Sequence, residues 1–160
     1  MNPLKSINFR FLVIANSFAF LGWVIRNLLV NWYVLEKTDS TTLVGLFAAV
    51  PSVVMFFFGP LGGQLADKYS RKSVLVYTRL ASCIIFFLLA LFVHIELYVM
   101  YLIFICLIFV GVQEGMEAPS ERNLIIDIVG LKYLTLGNSI AEFFNSFINS
   151  VGPLFVALLL

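Results

Sequence analysis

Five long apolar stretches, joined by short polar connections, restrict this chain to one class of fold. They cover residues 11–35, 43–65, 73–93, 97–116 and 140–160. A helix needs about 20 mainly apolar residues to cross the hydrocarbon core of a bilayer. Lipid offers no hydrogen-bond partners, so the backbone must satisfy its own polar groups by forming helices. The sequence therefore predicts an all-α membrane protein, a multi-pass bundle of transmembrane helices.

Composition supports this prediction and excludes several other classes of protein. The chain is 61% hydrophobic and 12% charged, whereas soluble domains carry about 25% charged residues. A formal net charge of +1 gives no reason to expect a nucleic-acid partner. No metal-ligand spacing and no nucleophile–base set is visible, so we expect neither a metal, nor a cofactor, nor an enzyme.

Successive connections between membrane helices lie on opposite sides of the membrane. With the connections assigned in this way, almost all lysines and arginines fall on the same side. The other side holds only Lys37, and positive charge is typical of cytoplasmic loops. This bias predicts a cytoplasmic N-terminus, and the odd number of predicted crossings then puts Leu160 on the opposite side of the membrane. The residues on the predicted cytoplasmic side are Lys5, Arg10, Lys68, Arg71, Lys72, Arg79, Arg122 and Lys132.

Glycines spaced four apart suggest where helices approach each other closely. Gly59 with Gly63 forms such a pair in the second stretch, and Gly111 with Gly115 forms another in the fourth. The adjacent Gly62 and Gly63 are also expected to let backbones approach closely. Small residues at this spacing allow membrane helices to pack backbone to backbone. The connection over residues 117–137 is polar and then amphipathic, which fits either an interfacial helix or a plain connector.

Polar residues form one stripe on the first predicted helix and one on the fifth. At 100° per residue each set falls within an arc of about 80°. Asparagine and glutamate are costly in lipid, so the stripes should face protein or a watery cavity. Interhelical hydrogen bonds, at about 0.6 kcal/mol each, are the alternative, and we favour cavity lining. The stripes are Asn16, Phe20, Trp23, Asn27 and Asn31, then Asn138, Glu142, Asn145 and Asn149.

Arg26 is the most costly residue in the predicted spans, at about 2.5 kcal/mol or more near the bilayer centre. Glu142 is a partner by charge, but the two residues differ in predicted depth by more than about 10 Å. That pairing is therefore rejected. An anionic substrate, an acid from another part of the protein or water remain as partners for Arg26.

The connection "GQLADKYSRKSVL", residues 63–75, carries a specific signature. It resembles the loop between the second and third helices of major facilitator superfamily transporters, Gly-x-Leu-Ala-Asp-Arg-x-Gly-Arg-Lys-x-x-Leu. Ser70 stands where the family has a second glycine, a residue suited to positive φ. The matching residues are Gly63, Leu65, Ala66, Asp67, Arg71, Lys72 and Leu75.

Two further segments resemble the drug, macrolide and siderophore exporter branch of that superfamily. They are "NWYVLEKTDSTTLVGLFAAVPSVVMFFFGPLGG" and "EAPSERNLIIDIVGLKYLTLGNSI". In "NSVGPLFVALL", Gly152 and Pro153 match the exporter motif of the fifth helix, but Ile148, Val156 and Ala157 replace glycines. The resemblance implies the N-terminal half of a major facilitator fold, with five of the family's twelve helices.

The resemblance also implies a mechanism. It suggests a secondary transporter that exports a drug-like or siderophore-like molecule in exchange for protons, with Glu142 as the proton carrier. The signature loop would act as a conformational switch. In it, Asp67 would contact the second half of the fold, and Arg71 would pair with Glu114 or Glu117.

The expected partners are therefore the lipid bilayer, a small-molecule substrate, protons and a missing C-terminal half. The expected location is the plasma or inner membrane. The apolar ending "VGPLFVALLL" suggests a truncated chain. A non-transporting membrane assembly or interaction protein, or an inactive transporter fragment, is the alternative function.

Overall fold

The chain folds into long helices throughout the part that the structure describes. The computed structural model describes Pro3, residues 6–95 and residues 99–159. Predictions that concern Lys5, Leu97 and Leu160 lie outside the described residues. The helices are α1 (Ile7–Thr38), α2 (Thr41–Lys68), α3 (Arg71–Ile95), α4 (Val99–Val129) and α5 (Leu134–Leu159), with a 3₁₀ turn at Leu131–Tyr133 before α5.

These helices confirm the predicted all-α class of fold. Within the described residues, five helices are long and apolar enough to cross a membrane. Most extend beyond the predicted apolar stretches, because helical hydrogen bonding continues into the polar flanks. The clearest correction concerns residues 117–137, predicted as an interfacial segment or a connector. Most of this segment continues α4, which ends only at Val129.

Three short turns between helices fall within the residues that the structure describes. Between α1 and α2, Asp39 adopts a φ of 51°, and the Ser40 hydroxyl accepts a hydrogen bond from the Leu43 N–H at 3.3 Å. Between α2 and α3, the Ser70 hydroxyl accepts from the Ser73 N–H at 3.5 Å. Before the 3₁₀ turn, Gly130 has a φ of 74°, a conformation that favours glycine. A serine at an N-cap satisfies a donor that the helix cannot.

Two compact units divide the chain: residues 1–30 with 123–160, and residues 31–122. In the first unit, α1 and α5 run parallel. A methyl group at Gly137 would lie 3.5 Å from Phe9 Cε2, and one at Gly152 would lie 2.8 Å from Val24 Cγ1. The two contacts are 15 residues apart on both helices (152 − 137 and 24 − 9). Residue n of α1 therefore lies level with residue n + 128 of α5.

In the second unit, glycines bring α2 and α4 together. A methyl group at Gly111 would lie 2.6 Å from the Pro51 carbonyl oxygen, and one at Gly115 would lie 3.1 Å from the Met55 carbonyl oxygen. The predicted pair on α4 therefore packs closely. The predicted pair on α2 is confirmed only in part. The backbone nitrogen of Gly59 would lie 3.1 Å from a methyl group on Gly115, but a methyl group on Gly59 or Gly63 itself would meet no atom within 4 Å.

The residue of α2 that allows the close approach is Gly62. A methyl group there would come within 2.2 Å of the Gly115 carbonyl oxygen. A spacing rule finds glycines that share a face, but it cannot tell which face meets another helix. The helix rotation decides this, and it directs Gly62 towards α4.

Candidate functional site

The residues of the polar stripe on α1 differ in how much of their surface is exposed. Asn16 is buried, with 8% of its surface exposed. Trp23 is 39% exposed, and Asn27 and Asn31 are half-buried. The stripe is therefore packed by protein at one end, whereas near Trp23 it is open to whatever surrounds the helix.

Arg26 joins this stripe through its neighbour. Its Nε and Nη2 atoms donate hydrogen bonds to Asn27 Oδ1, at 3.2 Å and 2.9 Å. Arg26 is 8% exposed. By helical geometry its Cα lies outside the arc of the stripe, so these two bonds turn the guanidinium towards the stripe. Sequence spacing alone did not place Arg26 there.

An aromatic pair precedes the arginine by one helical turn. The Phe20 and Trp23 rings stack with centroids 5.4 Å apart and an interplanar angle of 15°. Their positions, three residues apart on α1, put both rings beside the asparagines of the stripe. The α1 stripe thus combines amides, a cation and a flat apolar surface.

The stripe of α5 lies in the same compact unit as residues 16–27 of the α1 stripe and in register with them. Asn145 is half-buried, while Glu142 and Asn149 are exposed. The offset of 128 residues puts Asn145 level with Ser17, beside Asn16. It puts Glu142 level with Ile14, 12 residues or about 18 Å from Arg26 along the axis. This register agrees with the rejection of an Arg26–Glu142 pair.

Gly152 and Pro153, the predicted exporter motif, shape the contact of α5 with α1. Gly152 is buried against Val24, where a side chain would collide. Pro153 is exposed within α5. Proline has no N–H, so the Asn149 carbonyl loses its usual helical donor. The motif therefore puts a close helix contact next to a carbonyl that lacks its usual helical donor.

The four predicted switch residues at the α2–α3 turn differ in exposure. Asp67 and Lys72 are exposed, whereas Gly63 and Arg71 are half-buried. Tyr69 ends α2 with its N–H bonded to the Leu65 carbonyl at 2.9 Å. The turn needs no residue with positive φ, because Ser70 acts as the N-cap of α3 instead.

The sequence profile of the Major Facilitator Superfamily matches residues 12–160, which include both stripes and the turn. The chain belongs to the Major Facilitator Superfamily. No curated protein matches the chain, and no solved structure does. Members of this superfamily are transporters and not enzymes, so this major facilitator chain is a membrane transport protein.

In this major facilitator chain, an ion pair that the sequence did not predict links α3 to α4. Arg79 Nε lies 3.0 Å from Glu117 Oε1, and the two side chains are 22% and 13% exposed. Gln113 donates to the other carboxylate oxygen of Glu117. Two features of the sequence could have indicated this ion pair. Arg79 is a charged residue inside the third apolar stretch, and Gln113 and Glu117 are four residues apart on one helix. A cluster of cation, carboxylate and amide thus fixes two helices near the α2–α3 turn.

The two acids predicted as partners of Arg71 lie close together on α4, and one of them belongs to this cluster. Both carboxylate oxygens of Glu117 already accept hydrogen bonds. Glu114 lies three residues earlier on α4 and is half-buried. The pairing of Arg71 with Glu114 or Glu117 stays a prediction.

Proposed function

We propose that this chain forms part of a secondary active transporter that exports a drug-like or siderophore-like small molecule in exchange for protons. The observation that carries the proposal is the register of two polar segments within one compact unit, residues 16–27 of α1 and residues 138–149 of α5. The superfamily match supports transport in general. The exporter-like segments quoted above supply the direction and the class of substrate.

The stripes offer a plausible substrate path for physical reasons. Asn16 and Asn145 lie level with each other, and the asparagines continue along both helices. Such side chains are expensive against lipid, so they favour a protein-lined or watery space. In secondary transporters the substrate site forms near the bilayer midplane, and rocking of one half of the fold against the other alternates access to it.

Glu142 is the proposed proton carrier. It is a carboxylate on the α5 stripe, exposed along the same face as Asn149. Exchange of a substrate for a proton requires a group that binds one or the other in turn. The competing interpretation is an interfacial acid that keeps one protonation state during transport.

The α2–α3 turn is the proposed switch. The exposed carboxylate of Asp67 is available to the second half of a major facilitator fold, while Arg71 binds an acid on α4. Breaking and reforming these bonds would accompany the change of access. The turn and the N-terminus then face the cytoplasm of a cell in whose plasma or inner membrane the chain resides. Labelling of Lys68 or Lys72 only from outside the cell would contradict this orientation.

Everted membrane vesicles that contain the protein test the function. We expect uptake of a drug-like dye or a catechol-type siderophore on imposing a proton gradient, and loss of uptake on adding a protonophore. Arg26→Ala should abolish uptake, whereas Arg10→Ala, an exposed position on the same helix, should leave it unchanged. A monodisperse protein without any uptake would instead support a non-transporting assembly role.

A further inference from the structure

One buried hydroxyl makes no hydrogen bond to any residue that the structure describes. The Ser120 side chain on α4 is 0% exposed, and its Oγ atom has no partner. A hydroxyl that is buried in this way loses its hydration and gains nothing in exchange. In folded proteins an ordered water molecule commonly satisfies such a group. Ser120 therefore indicates a binding position for a small polar ligand.

Other serines of this chain show what a helical hydroxyl ordinarily does. The hydroxyls of Ser82, Ser139 and Ser150 each donate to the carbonyl four residues earlier, at 3.2 Å, 2.9 Å and 2.9 Å. The Ser120 hydroxyl makes no such bond to the carbonyl of Met116. Its rotamer forgoes an acceptor that is open to any helical serine, so the hydroxyl is available to a partner outside the backbone of α4.

The same face of α4 carries an acceptor for such a ligand. Gln113, Glu117 and Ser120 fall within an arc of about 60°. The Glu117 carboxylate accepts hydrogen bonds from Arg79 Nε at 3.0 Å and from Gln113. A carboxylate offers about four lone-pair positions, and these two bonds use two of them. The carboxylate therefore keeps room for a third donor.

The spacing of Glu117 and Ser120 suits one bridging molecule. The two residues are three positions apart, which is about 4.5 Å along the helix axis. One water oxygen spans such a separation with two hydrogen bonds of about 2.8 Å each. Bridging waters of this kind are nearly as favourable as direct hydrogen bonds.

Charge and burial select for a ligand that is neutral and small. Arg79 and Glu117 form an ion pair whose charges balance, and the other two side chains of the group are uncharged. The guanidinium would repel a cation, and the carboxylate would repel an anion. Because the Ser120 side chain is fully enclosed by protein, a large ligand does not reach it. A single water molecule satisfies both requirements.

We propose that Ser120 and Glu117 hold a buried water molecule. The Ser120 hydroxyl donates to the water oxygen, and the water donates to a carboxylate oxygen of Glu117. The water extends the cluster that fixes α3 to α4 by almost one helical turn, as far as the residue after Pro119. The proposal is independent of the proposed export function, because its test measures stability and not transport.

A double-mutant cycle on the purified full chain tests the bridge. Ser120→Ala removes one end, and Glu117→Gln weakens the other, because a neutral amide is a poorer acceptor than a carboxylate. We expect Ser120→Ala to raise the unfolding equilibrium constant about fivefold, and only about twofold in the chain that already carries Glu117→Gln. Unfolding in mixed micelles provides the measurement. Equal effects in the two chains would overturn the proposal.

Ser139→Ala is the matched control. It brings the same gain in helix propensity as Ser120→Ala, but its hydroxyl is exposed and donates to its own helix. The fivefold effect of Ser120→Ala is therefore measured relative to this variant. If the two variants changed the unfolding constant alike, the Ser120 hydroxyl would have no partner beyond its own helix, and the proposal would be wrong.

Ser120→Asn separates a bridging water from a direct bond between Ser120 and Glu117. Asparagine is larger than serine by about the volume of one water molecule, and its amide can donate to the carboxylate in place of the water. If water occupies that space, the unfolding constant should stay within about threefold of the wild-type value. Without the space, the added atoms overpack a fully buried position, and the constant should rise more than about tenfold. That result would overturn the proposal, and it also decides the case in which Ser120→Ala does not fold.

Discussion

The backbone of Gly62 in α2 lies against the carbonyl oxygen of Gly115 in α4. A methyl group added to the Gly62 Cα would lie 2.2 Å from that oxygen. Pro119, four residues after Gly115 in α4, has no N–H to offer that carbonyl. The carbonyl therefore lacks its usual helical donor, and a Cα–H on an adjacent helix can approach it as a weak donor. Close packing and a missing helical hydrogen bond thus occur at the same point.

Gly62→Ala should destabilise the chain by about 1–3 kcal/mol, because the added methyl group meets backbone that cannot move aside. Gly63→Ala is the matched control, since a methyl group at that position meets no atom within 4 Å. It should be neutral or slightly stabilising through its higher helix propensity. Unfolding in mixed micelles measures both variants. Equal losses of stability would show that α2 does not pack on α4 through Gly62.

Removing either partner of the Arg79–Glu117 pair should cost about 1–3 kcal/mol, because a partly buried charge loses its hydrogen bond. A double-mutant cycle with Arg79→Gln and Glu117→Gln isolates the interaction. We expect the double variant to be less destabilised than the sum of the single variants. Additive losses would mean that the 3.0 Å contact contributes nothing to stability.

Charge reversal tests the proposed switch. Arg71→Glu should impair transport, and Glu114→Arg should restore part of it by reforming the pair with opposite polarity. Glu117→Arg should not rescue Arg71→Glu, because Glu117 accepts from Arg79 and Gln113. Rates of substrate transport, corrected for the amount of protein in the membrane, provide the measurement. Rescue by neither reversal would refute the pairing of Arg71 with α4.

Ser70→Ala should cost about 1 kcal/mol, because the Ser73 N–H at the start of α3 loses its acceptor. Ser70→Gly should cost only a few tenths, since glycine is tolerated at an N-cap. Thermal unfolding of the two variants makes the comparison. A larger loss for glycine than for alanine would argue against a capping role for this serine.

Glu142→Gln should uncouple transport from the proton gradient if the carboxylate carries the proton. Exchange of labelled for unlabelled substrate across the membrane should persist, because the amide keeps the shape of the side chain. Glu36→Gln, at an exposed acid of α1, is the control and should leave both activities intact. Gradient-driven efflux that survives in Glu142→Gln would remove the coupling role.

Much of the fold was predictable because its signals are local. Long apolar stretches specify membrane helices without reference to any partner, and all five were found. The α2–α3 turn was also predictable, since a short charged segment between two such stretches must leave the bilayer. The position at which α4 ends was not predictable from the sequence. A count of apolar residues stops near Met116, although the backbone stays helical to Val129.

What the sequence by itself determined is the class of fold, the order of the helices, the polar stripes of α1 and α5 and the superfamily. Only the tertiary structure decided that Gly62 meets α4, that Arg79 binds Glu117 and that Arg26 turns onto the α1 stripe. The reason is physical. Hydropathy and helical period depend on residues close in the chain, whereas helix rotation, register and side-chain rotamers depend on which surfaces fit together.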